Sequence, residues 1–137
     1  MKKQVEKIII HNPEYETKSK KLNILRIQIL PEYTKVDYGY LAVNHYIRGG
    51  WVQIYENSFI RDLKTKKCYS FIKAENIPIA PTKHFFTSNY DYLYYSLYFE
   101  PIPVDTEFID IIESEEGGTY FNFYKVNIGD GMKDLIL

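Results

Sequence analysis

The chain has 137 residues, 45% of them apolar, 17% aromatic and 26% charged. That is one domain's length, enough to bury a core without a metal or disulfide, and too aromatic for a disordered chain. Seventeen basic residues against 18 acidic ones argue against a nucleic-acid binder, and the single cysteine, Cys68, excludes an intrachain disulfide and a cysteine-rich metal site.

In chain order, Ile8-Ile9-Ile10 reads as a first strand, broken at Asn12-Pro13. Leu22 to Leu30 alternates, with Leu25, Ile27 and Ile29 on one side and Arg26 and Gln28 on the other, the mark of a half-buried strand. Val36 to Ile47 is extended, with Tyr38, Tyr40 and Tyr46 on one parity and Leu41, Val43 and Ile47 on the other. Gly49-Gly50 turns the chain into a short strand, Trp51 to Tyr55, and Ser58 to Arg61 continues extended. The polar stretch from Asp62 to Lys67 joins it to a strand from Cys68 to Lys73. Pro78 and Pro81 exclude regular structure mid-chain, and His84 to Thr87 reads as a short strand.

Tyr92 to Glu100 carries Leu93, Tyr95, Leu97 and Phe99 on one face and Tyr92, Tyr94, Ser96 and Tyr98 on the other, which predicts a central strand. The stretch from Thr106 to Glu113 fits either a short helix or a strand, and its isoleucines favour strand. Gly117-Gly118 is a turn, Tyr120 to Ile128 a last strand, and Met132 to Leu137 a short helical turn or frayed tail. About eight extended segments at this spacing, with 14 Tyr and 8 Phe, predict one all-β domain over residues 1–137: an immunoglobulin-like antiparallel β-sandwich of about seven to nine strands. Its core is expected to draw on Leu25, Ile27, Ile29, Val52, Ile54, Phe71, Leu93, Leu97, Phe99, Ile109, Ile111, Phe121 and Phe123.

Catalytic signatures are absent. No glycine loop has a phosphate-cradling spacing and no serine has a nucleophile-elbow setting. His11, His45 and His84 lie far apart in sequence, so no local metal pair exists, and Cys68 beside Lys66-Lys67 reads as an inert strand residue. The acids Asp105, Glu107, Asp110, Glu113, Glu115 and Glu116 read as a solvated turn. No cofactor, metal or catalytic residue is expected.

The tyrosines are more suggestive. Strand geometry puts Tyr92, Tyr94 and Tyr98 on one face, and Trp51 sits beside a turn. These four are the candidate binding residues. An exposed set would grip another protein, or alternatively a glycan, because Tyr and Trp give large contact area at low entropic cost. A hydrolase built from His45, His84 and nearby carboxylates ranks last. No run approaches the ~18 apolar residues that span a bilayer, so no membrane insertion is expected. The charged opening with only three isoleucines reads as no signal peptide, which gives a cytoplasmic expectation unless the sequence was trimmed from an exported protein.

One resemblance spans Tyr33 to Val126. Its segments include Gly49-Gly50-Trp51-Val52-Gln53-Ile54, Ser58-Phe59-Ile60-Arg61-Asp62, Lys73-Ala74-Glu75-Asn76-Ile77-Pro78, Leu97-Tyr98-Phe99-Glu100-Pro101-Ile102-Pro103 and Phe121-Asn122-Phe123-Tyr124. Their order resembles an uncharacterised β-sandwich module common in Bacteroidetes proteins, often placed before a thioredoxin-like or other domain. The resemblance implies a non-enzymatic accessory module and supplies no functional residues.

Overall fold

Alternation along extended segments governs the architecture. A computed structural model describes residues 7–19, 21–41, 51–85, 92–115, 121–129 and 132–136, and every regular element among them is a strand. The strands are β1 (Lys7–His11), β2 (Glu16–Thr17), β3 (Leu22–Ile29), β4 (Thr34–Leu41), β5 (Trp51–Val52) and β6 (Phe59–Asp62). They continue with β7 (Cys68–Glu75), β8 (His84–Phe85), β9 (Tyr92–Phe99), β10 (Phe108–Ile112), β11 (Phe123–Asn127) and β12 (Met132–Ile136).

Ten strands form one antiparallel ladder in the order β12-β1-β3-β4-β9-β7-β6-β10-β11-β2, while β5 and β8 pair apart. Strand β7 joins the two limbs. Its first half pairs with β6 (Ser70 opposite Phe59), its second half with β9 (Ala74 opposite Leu97), and a bulge lies between Phe71 and Lys73. Bulges bend a strand and raise its twist, which lets one strand turn a corner between limbs.

The bend brings the inner faces together. Tyr38 on β4 stacks on Tyr95 of β9 at 4.9 Å between ring centroids, and meets Phe123 of β11 at 5.8 Å. Tyr15 adds an edge contact to Phe123 at 4.9 Å. Ile10, Ile27, Val36, Ile60, Phe99, Ile109 and Phe123 are fully buried between the limbs. Burying each such side chain contributes roughly 1.5–3 kcal/mol, and hydrophobic burial is the main term opposing chain entropy.

Several expectations change. Leu25, expected in the core, is half-buried, because a bulge between Ile24 and Arg26 slips the parity of β3. Leu22 and Ile24 point inward before it, Ile27 and Ile29 after it. Phe71 and Phe121 lie partly buried at the core's margin. The last segment is not a helical turn or a tail: Met132–Ile136 is a strand paired with β1, with Leu135 opposite Ile8. Two expectations hold: residues 106–113 contain a strand, as their isoleucines favoured, and β9 is central, flanked by β4 and β7.

The hairpin between β6 and β7 follows local chemistry. Asp62 Oδ1 accepts the Lys64 N–H at 2.8 Å, and Lys66 takes a left-handed φ of 67°. Phe123 is the side chain through which β11 touches Tyr38 and Tyr15, so Phe123→Ala should cost about 3–5 kcal/mol of unfolding free energy. Urea denaturation checks this, and a loss under about 1 kcal/mol would show that the limbs do not depend on this contact.

Candidate functional site

Two features outside the apolar core carry chemistry: the outer face of β3, β4, β9 and β7, and a cleft between the limbs. On the outer face, registers place Arg26, Asp37, Ser96 and Glu75 in one row across the four strands. Gln28, Lys35, Tyr98 and Lys73 form the next row.

Asp37 is the hub. Its Oδ2 accepts hydrogen bonds from Arg26 Nε at 2.6 Å and Gln28 Nε2 at 2.9 Å, and its Oδ1 accepts from Ser96 Oγ at 2.5 Å. Lys35 Nζ stands 3.8 Å from Oδ1. Burial pushes the Asp37 carboxyl up, but the bonds from Ser96, Arg26 and Gln28 and the Lys35 charge together outweigh it and hold the group below its ordinary value.

Tyr98 belongs to this network and not to an open surface. Only 6% of it is exposed. Its hydroxyl donates to Glu75 Oε1 at 2.5 Å, Lys73 Nζ lies over its ring at 4.6 Å, and Tyr33 packs edge-on at 4.9 Å. Tyr92 and Tyr94, on the same parity, are 44% and 63% exposed. Their ring centroids are 4.7 Å apart. Gly39, opposite Tyr94 on β4, makes room for them: a Cβ there would come within 2.9 Å of two Tyr92 ring carbons. Aromatic rings often cover a strand glycine in this way. Leu41, opposite Tyr92, is also exposed and extends the apolar end of the face. Asn76 Nδ2 donates to the Tyr94 carbonyl at 2.5 Å and fixes the backbone there.

Of the other sequence candidates, Trp51 lies in β5 with its backbone opposite Phe85, and its side chain is outside the described residues, as is His45. His11 and His84 fall on β1 and β8. Cys68 is exposed rather than a core residue, with its thiol directed at the Lys66 carbonyl at 3.9 Å. Among the described residues no three His, Cys, Asp or Glu side chains converge as a metal site.

The acidic stretch is not uniformly solvated. Asp110 and Glu113 are buried. Asp110 pairs with Arg61 at 3.2 Å and accepts the Lys125 N–H at 3.0 Å, where Lys125 takes a φ of 52°. Glu113 faces a cleft lined by Tyr38, Ile54, Ser58, Tyr95, Leu97 and Phe121, with room for about one water molecule. It accepts the Phe121 N–H at 2.8 Å. Burial outweighs the N–H bonds from Phe121 and Tyr55 and pushes its carboxyl up to about 7. Burial and the nearby Glu113 charge also push the Tyr38 hydroxyl up, and burial with the Tyr38 and Glu113 neighbours does so for Tyr95. Glu113 continues the inward parity of Ile109 and Ile111, a signal that could have marked it in the sequence.

No protein-family model, no characterised protein and no solved structure matches the chain. No helix among the described residues is long and apolar enough to cross a membrane.

The hub yields a pH-dependent expectation. A carboxyl held below its ordinary value stabilises the fold above that value and loses the contribution as pH falls through its folded-state titration. Asp37→Asn should therefore cost about 1–3 kcal/mol at neutral pH, and the difference from wild type should shrink below the ordinary carboxylate range. Denaturation curves at pH 7 and pH 3 check the sign, and an equal deficit at both would remove the charge from the explanation.

Proposed function

We propose that the chain is a non-catalytic binding module that grips another protein through the outer face of β3, β4, β9 and β7. The observation that carries this reading is the pair Tyr92 and Tyr94, 44% and 63% exposed and 4.7 Å apart, standing beside Leu41 over the glycine floor at Gly39. Two neighbouring aromatics on a rigid strand present contact area at little entropic cost, because their backbone is already ordered. The adjoining rows supply fixed polar groups, so a partner meets a preorganised surface. Arg26, Lys35 and Lys73 face Asp37 and Glu75 there, which leaves little net charge and suits a partner that is not polyanionic.

Strand order supports the immunoglobulin-like part of the reading. With β3, β4, β6, β7, β9, β10 and β11 taken as strands A to G, the ladder runs A-B-E-D and then C-F-G. That is the order of the seven-stranded immunoglobulin sandwich. Here D and C remain paired through β7, and β1 and β12 extend the A edge. An accessory role in a larger assembly agrees with a sandwich that presents one sheet face outward.

Tyr94→Ala tests the binding reading, since its ring is mostly exposed and its backbone ties, the ladder pairing opposite Gly39 and the bond from Asn76, survive the change. Unfolding free energy should move by less than about 0.5–1 kcal/mol, while affinity for a protein retained by the immobilised wild-type chain should fall at least about tenfold. Tyr98→Ala, by contrast, should destabilise the fold. Equal retention by wild type and Tyr94→Ala would sink the proposal, and a glycan-array response abolished by the same substitution would favour carbohydrate over protein.

A further inference from the structure

The cleft between the limbs is a second feature, independent of the outer face. The carboxyl of Glu113 projects into it at the end of β10 and is 7% exposed. Each described element packed around it presents a neutral group. Strand β4 gives the Tyr38 ring and β9 the Tyr95 ring, while the 55–58 turn gives Ser58 and the Tyr55 N–H. The segment before β11 gives Phe121, whose N–H donates to Glu113 Oε1 at 2.8 Å, and Asn122, whose Oδ1 accepts the Glu113 N–H at 2.8 Å. Among the described residues no Lys, Arg or His pairs with Glu113. Asp37 acts on Tyr38 as a further negative charge, from the far side of β4.

We propose that Glu113 is a proton-operated latch, which seals the joint between the two limbs when neutral and loosens it when ionised. Its position decides the direction. A charged carboxylate in this cleft, where no described residue supplies a cation, lacks the hydration it had in water, and two N–H donors replace only part of it. The stacked phenols above it stay protonated, because burial pushes both hydroxyls further up, so among the described residues of the cleft Glu113 is the one that changes charge near neutrality. The sign follows from linkage. The folded state holds the proton up to about pH 7, whereas an unfolded glutamate releases it near 4.5. The stabilisation is therefore complete below the unfolded value and lost as pH rises through the folded one. A shift of that size corresponds to roughly two powers of ten in the opening equilibrium.

Carbon-13 NMR of the Glu113 carboxyl in the wild-type chain should give a midpoint near neutrality. Over the same range, amide protection factors in β4 and β9, corrected for intrinsic exchange, should fall by roughly two powers of ten between pH 5 and pH 8. Glu113→Gln keeps the shape and removes the charge, so its protection should stay level. A midpoint in the ordinary carboxylate range would overturn the latch, and so would wild-type protection that stays level while Glu113 titrates. Should the variant fail to fold, the wild-type titration and protection profile decide the matter by themselves.

Discussion

The fold rests on one constraint: a single antiparallel ladder has to bend so that the inner faces of its two limbs meet. A flat ladder of this length would leave one side of Ile10, Ile27, Val36, Phe99 and Ile109 in water. The bend at β7, made by the bulge between Phe71 and Lys73, converts that exposed side into a shared interior. Phe123 and the stacked Tyr38 and Tyr95 are where the limbs touch, and both chemical features of the molecule are set by that contact. The cleft at Glu113 is its incomplete margin, and the outer polar face is the reverse side of the strands that carry the two tyrosines.

Each limb fixes its outer face with a similar device. On one side Asp37 gathers Arg26, Gln28 and Ser96, and on the other Asp110 gathers Arg61 and the Lys125 N–H. A buried carboxylate is costly alone, but with its oxygens satisfied it locks the register of neighbouring strands, since a slip would strand the charge. Asp110 also accounts for the left-handed backbone of Lys125, because the bulge turns that N–H toward the carboxylate. Among the described residues the tyrosine end of the first limb has no such buried carboxylate. It is held by Tyr92 packing over Gly39 and by the Asn76 bond to the Tyr94 carbonyl, and it keeps aromatic surface exposed.

Period-two reasoning read β3, β9 and β10 from local sequence because each buries one face. It failed where the determining contact is remote or a register slips. Leu25 sits at a bulge, and nothing in Leu22 to Leu30 distinguishes a bulged strand from a straight one. Met132–Ile136 has weak alternation, and its partner Ile8–Ile10 lies at the opposite end of the sequence. Tyr92, Tyr94 and Tyr98 share a parity, yet only Tyr98 is covered, because Lys35, Lys73 and Glu75 come from other strands and Tyr33 from the turn before β4. The polar hub did leave a trace. An aspartate inside a strand is disfavoured, so Asp37 between Val36 and Tyr38 implied partners on neighbouring strands. Glu113 was legible too, as the third member of the inward series after Ile109 and Ile111, but its place in an acidic run suggested a solvated turn.

Asp37 and Glu113 show how the supply of donors decides what a buried acid can do. Both lie within the protein, and burial alone would push both carboxyls up. Asp37 receives a guanidinium, an amide and a hydroxyl, with an ammonium nearby, and ends below its ordinary value. Among the described residues Glu113 receives two backbone N–H groups and no cation, and burial pushes it up to about 7. The first group is charged throughout the neutral range and acts as a fixed part of the scaffold. The second changes state there, and it does so at the place where the limbs meet. Supplying a cation beside Glu113 would turn it into another Asp37, so the absence of one among the described residues packed on it is what separates a structural acid from a responsive one.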